Sequence, residues 1–194
     1  MVIAYKGFES DMTCRGFQYE LGKIYSISER PIICRQGFHA CILPIDVIMY
    51  YPYGTNVYAE VSLSECDSTK DLYVFSFNTK ICGKSIWISP HIMSISELIY
   101  ETFHLLDQLF IFARFDGTLP SERYYRTAKT SIEQLKAAES INIRIKDAIC
   151  FAHRILDLII HRLKVSRRIY NVEDFIQIVI KLQQKKDEEH VANV

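Results

Sequence analysis

Two cysteines and a histidine fall within the eight residues Cys-Arg-Gln-Gly-Phe-His-Ala-Cys at 34–41, and Cys14 opens a related phrase, Cys-Arg-Gly-Phe. Cys14, Cys34, His39 and Cys41 are the donor types of a Cys3His zinc centre, which needs four soft or borderline ligands in a tetrahedron. Their spacing is not that of a knuckle, because neither Cys34 and Cys41 nor His39 and Cys41 form the C-x2–4-C clip. If Phe38–Cys41 is extended, His39 and Cys41 share a face, which suits co-ligation and co-burial equally. A second chemistry is a Cys41 nucleophile with His39 as base, its thiolate favoured by a helix start at Pro44. No third orienting residue and no G-x-S-x-G surround accompany that pair. The bland reading is small buried thiols and a core histidine bonded to a carbonyl. These four residues stand as metal candidates, with no metal assigned and no cofactor expected.

Charge supplies another candidate. The 194 residues carry 23 basic and 23 acidic side chains, so no global field recruits a polyanion. Between Arg123 and Arg168, however, eleven basic residues face four acidic ones, and Arg162, Lys164, Arg167 and Arg168 form the densest group. Such a patch can neutralise phosphates and makes nucleic acid a candidate partner. It can equally be the solvated face of surface helices. The tyrosine-rich stretch 49–58 either lines a pocket or roofs a small core. No phosphate loop, dinucleotide fingerprint or glycosidase-type acid pair is present.

The elements that position these residues divide the chain in two. Six of the seven glycines lie at or before Gly83, where positive-φ turns between short strands are needed. Strands are expected in 2–8, 22–27, 30–34, 56–63, 71–77 and 84–90, each a β-branched or aromatic run bounded by turn residues. Val57, Ala59, Val61 and Leu63 alternate with Tyr58, Glu60, Ser62 and Ser64, the pattern of a half-buried strand. Residues 43–51 read as one short helix with Pro44 in its first turn, Asp46 complementing the dipole, and Ile45, Ile48 and Met49 as its apolar face. From Ser94 the period becomes helical, predicting helices over 94–115, 121–140, 142–164 and 171–186, then a frayed tail. The expected fold is α+β: a small β-rich domain at 1–92 followed by a helical domain at 93–194. The six cysteines are read as free thiols in a reducing, intracellular setting, since the start lacks a basic, apolar leader. No apolar run is long enough to span a bilayer, so no membrane partner is expected.

The phrases Tyr5–Phe8, Cys14–Tyr25, Cys34–Cys41, Pro44–Tyr51 and Asn56–Leu63 together resemble an uncharacterised domain that recurs in phage, bacterial and giant-virus proteins. Its pattern runs KGF, C-x-GFQ-Y-x-x-GK-x-Y, C-x-x-GFHAC, P-x-D-V-x-x-YY and a following strand, and it covers about the first 90 residues. The resemblance implies a viral or phage-related setting and supplies no active site. The order of elements is also similar to the core of small ADP-ribosyltransferases, which grip NAD with a first-strand His-Gly pair and a helix tyrosine. That likeness implies Lys6, Tyr50 and Glu60 as catalytic candidates, with Lys6 standing where the histidine would be.

The leading expectation is a non-enzymatic module with Phe17 and Phe38 as core anchors, Gly16 and Gly37 in turns, and Cys14, Cys34 and Cys41 as buried fillers. The helical half then contacts a protein partner or a second copy. NAD-linked transfer requires Lys6, Tyr50 and Glu60 to converge on one cleft.

Overall fold

In a computed structural model, which describes residues 1–68, 79–113, 141–168, 170 and 172–192, the amino-terminal half is an antiparallel sheet. Its strands are β1 (Val2–Glu9), β4 (Ile24–Ser26), β5 (Phe38–Cys41), β6 (Asn56–Ser64), β7 (Asp67–Ser68), β8 (Lys80–Gly83) and β9 (Ser85–Met93). They run in the order β4-β9-β6-β1-β5-β8-β7, and β2 (Thr13–Cys14) pairs with β3 (Phe17–Gln18) in a separate hairpin. A 3-10 helix spans Pro44–Met49. Three α-helices are described: α1 (Ile95–Phe112), α2 (Ile141–Val165) and α3 (Val172–Ala192). The architecture is α+β. The chain falls into two compact units, Met1–Leu98 with Asn171–Val194, and Ile99–Tyr170.

Alternation along β6 holds from Ala59 onward, with Ala59, Val61 and Leu63 buried and Glu60, Ser62 and Ser64 half-buried, whereas Val57, expected on the buried face, is half-buried at the strand's start. Tyr58, on the more polar face, is buried because its hydroxyl donates to the Tyr51 carbonyl at 2.8 Å. Hairpin β2–β3 turns through Arg15 (φ 52°) and Gly16 (φ 76°), two successive positive φ values that match the twist of antiparallel strands. Residues 30–34 are not a strand. Ile32 makes only an isolated bridge to Gln36, and Cys34 at φ 63° breaks the extended run. Ile45 and Ile48 face the core, but Met49 is half exposed. Asp46 is fully buried and accepts from the Thr79 amide and hydroxyl, so it does more than complement a dipole.

The helix predicted from Ser94 starts with a reciprocal cap: Glu97 N–H donates to Ser94 Oγ and Ser94 N–H to Glu97 Oε2. Ile145, Ala152, Leu156, Ile159 and Leu163 form the buried stripe of α2 within the second unit. Helix α3 continues to Ala192, correcting the frayed tail expected after residue 186. The helix read over 121–140 and the strand read over 71–77 lie outside the described residues, as do Arg123, Arg126, Lys129 and Lys136. Among the described residues, no helix is long and apolar enough to cross a membrane.

Pairing between β1 and its two neighbours is unequal, and this creates the cleft. Eight residues of β1 are in register with β6, whereas β1 and β5 share the single pair Tyr5↔Cys41. On one side of that rung the Ile3 N–H and C=O bond the carboxamide of Gln183 on α3, at 3.1 and 2.9 Å. That side-chain amide replaces a missing strand. On the other side β1 and β5 part, and Lys6 extends its amine to the carbonyl of His39 at 3.3 Å.

Candidate functional site

Where β1 and β5 separate, a cavity of about 520 Å³ opens, within the usual range for ligand pockets. Its walls come from Tyr5, Lys6 and Gly7 of β1, Gly37 and His39–Cys41 on or beside β5, the β2–β3 hairpin, and Tyr50 and Tyr51 after the 3-10 helix. Gly7 is required for this closure. A Cβ there would sit 2.5–2.6 Å from the ring and Cβ of Tyr51.

Lys6 is the centre of the site. Its residue is 5% exposed, and its ammonium lies 5.2, 5.5 and 5.9 Å from the ring centroids of Phe8, Tyr19 and Tyr51. It also contacts Cys14 Sγ at 3.3 Å. Among the described residues no carboxylate pairs with it. A buried ammonium without a counter-ion is costly, and cation–π contacts offset only part of that cost. Arg15, Arg35 and Lys80 line the same cavity, and among the described residues none of its lining is acidic. Asp46 acts electrostatically on Cys41 and Tyr50 but is already engaged by Thr79.

The metal candidates surround this cavity without forming a centre. All four residues line it, yet among the described residues no group of three or more His, Cys, Asp or Glu is arranged to hold a metal ion. His39 accepts the Cys34 N–H on Nε2 at 2.8 Å, so that nitrogen is already engaged. Burial, then Lys80 and Lys6, hold the imidazole below its ordinary pKa and therefore neutral. Cys14 bonds the Tyr51 hydroxyl at 2.8 Å beside the Lys6 ammonium, a setting that repels a cation. Cys41 is buried and its thiol is pushed well up by burial and then by Asp46, a setting that disfavours the thiolate a Cys41–His39 nucleophile needs. Only Cys41 of the three is a buried filler; Cys14 is half-buried and Cys34 exposed. Phe38 is a core residue as expected, but Phe17 is 48% exposed, packing edge-on against Tyr19 and Tyr25.

Of the NAD-type candidates, Lys6 and Tyr50 line one cavity and Glu60 does not. Glu60 is in register with Tyr5, and Lys6 with Ala59, so alternation puts Glu60 and Lys6 on opposite faces of the β1–β6 pair. Burial pushes the Tyr50 hydroxyl up to about 12, and Lys80 lies 5.0 Å from its ring.

The basic group at the end of α2 is partly engaged in packing. Arg168 donates to the Phe112 carbonyl and stands over the Phe112 ring. Arg162 is half-buried, whereas Lys164 and Arg167 are exposed. Sequence reasoning missed Arg15, Arg35 and Lys80 as site residues. The available signal was weak: two Cys-Arg dipeptides, each next to a turn.

The fold and site together define an α+β protein with a cation-lined, aromatic-walled cleft at a split in its sheet. Residues 2–100, just over half of the chain, match the family model described as a domain of unknown function (DUF7666), and the chain belongs to that family. No curated protein and no solved structure matches it.

Proposed function

We propose that this protein is a non-enzymatic binding module whose cleft takes a small anion carrying an aromatic ring, a mononucleotide being the simplest member of that class. One observation carries the reading. Among the described residues, the buried Lys6 ammonium has no carboxylate partner and faces a cavity lined by three further cations and no acid. An anionic ligand supplies the missing countercharge in a place where water screens weakly. The exposed rings of Phe17 and Tyr50 line the same cavity and offer stacking surface.

Calorimetry with ADP and with inorganic pyrophosphate tests this. ADP binds saturably and more tightly than pyrophosphate, both weaken as salt rises, and Lys6→Met lowers ADP affinity about tenfold or more. Absence of saturable binding by either anion to folded protein would overturn the reading.

A second reading, group transfer from NAD, is favoured by Lys6, Tyr50 and Tyr51 lining one cavity. Against it, no acidic residue lines the cavity among the described residues. Nicotinamide release from NAD that Tyr50→Ala abolishes would favour transfer over simple binding.

A further inference from the structure

We propose that Cys14 is a thiolation site inside the cleft, forming mixed disulfides with small anionic disulfides and thereby closing the cleft to its ligand. This rests on the anion-binding reading above and adds a covalent regulation to it.

Cys14 is half-buried on the two-residue strand β2 and lines the cavity. Its sulfur lies 2.8 Å from the Tyr51 hydroxyl and 3.3 Å from the Lys6 amine. Burial, then the hydrogen bond to Cys14, push the Tyr51 hydroxyl far above the usual tyrosine range, so it keeps its proton and can donate. A thiolate at Cys14 therefore receives two donors, one of them cationic. Reactive cysteines occupy this kind of electropositive, partly exposed setting. The other thiols differ. Cys41 and Cys82 are buried, and burial pushes Cys66 up to about 11. Cys34 and Cys150 are exposed, and among the described residues neither thiol touches a cationic nitrogen.

The step needs no separate oxidant. Cys14 first releases its thiol proton to solvent. The thiolate then attacks one sulfur of the incoming disulfide. The Cys14–sulfur bond forms as the reagent's S–S bond breaks, and the electron pair leaves on the second sulfur, which takes a proton from solvent. Cys14 is oxidised and the departing half is reduced. The lining cations select a carboxylate-bearing disulfide over a neutral or cationic one, and the attached group fills the cavity.

The test uses the full chain with Cys34→Ser, treated in parallel with glutathione disulfide (anionic) and cystamine (cationic), with modification read by peptide mass mapping. Cys14 is expected to react about tenfold faster with glutathione disulfide, while Cys150 shows no such preference. High salt collapses the ratio, and the modified protein loses ADP binding in calorimetry. Cys14 left unmodified in protein that still binds ADP overturns the thiolation site and leaves the cleft reading standing. Equal rates with the two probes overturn the anionic selection. A protein that binds no ADP while Cys14 still reacts overturns the cleft reading instead, and with it the regulation. Lys6→Met, with folding checked by circular dichroism, lowers the glutathione disulfide rate and leaves Cys150 unaffected.

Discussion

Two clusters of cations invite comparison: Lys6, Arg15, Arg35 and Lys80 around the cleft, and Arg162, Lys164, Arg167 and Arg168 at the end of α2. The second is dense in sequence, yet Arg168 is held by a carbonyl and a ring, and Arg162 is half-buried. The first is scattered over the chain and converges on one cavity. Local charge density is therefore a poor guide to a site. What matters is concavity and the presence or absence of countercharge, because the same ammonium is screened on a surface and exerts a strong field when buried.

Replacing one buried anchor and one exposed ring of the cleft region separates core from ligand surface most sharply. Phe38→Ala should cost roughly 3–5 kcal/mol in chemical unfolding, whereas Phe17→Ala should cost about 1 kcal/mol and mainly weaken ADP binding. Equal losses of stability would erase the distinction between the two phenylalanines.

Gly7→Ala comes next. The added Cβ meets the Tyr51 ring, so a cost of about 1–3 kcal/mol is expected, together with loss of ADP binding. Unchanged affinity would show that Tyr51 does not shape the cavity.

Lys6→Met and Arg167→Gln set the two clusters against each other directly. Lys6→Met should leave the melting temperature equal to or above that of the parent, since it removes a buried ammonium that no carboxylate among the described residues pairs with. Arg167→Gln should change neither melting nor ADP affinity. A large fall in melting temperature for Lys6→Met would identify Lys6 as a structural residue.

The smallest effect concerns the α1 cap. Hydrogen bonds from Ser94, then from His91, hold the Glu97 carboxyl down to about 2, from an ordinary value near 4.5. A depressed carboxyl contributes stability above its unfolded pKa and loses it as pH falls through the folded one. Glu97 should thus stabilise fully above about pH 4.5 and lose its contribution between there and about pH 2. Its side chain is 47% exposed, so solvent screening keeps the gain small. Subtracting the acid unfolding profile of Glu97→Gln isolates it, and identical profiles would dismiss the cap.

Much of the fold was legible from pattern. Alternation in 56–63 placed β6, and the helical period placed α1 from Ser94 and α2 over 142–164. Clustered Gly, Tyr and Cys phrases pointed to the stretch that lines the cleft: Lys6, Tyr50, Cys14, Cys34, His39 and Cys41 share one cavity. Their roles were not legible. His39 looks like a ligand until its ring is seen holding Cys34 N–H, and Phe17 looks like core until its hairpin is seen at the cavity.

Periodicity and turn chemistry act between near neighbours, so they are written into the chain and can be read from it: strands, helices, caps and the positive-φ turn at Arg15–Gly16. The cleft arises from long-range pairing. β1 and β5 meet at one rung and then part, and the cations at 6, 15, 35 and 80 gather only because that parting leaves a hollow. No local preference encodes the distance between two strands that fail to pair, and for that reason the site emerged only from the folded arrangement.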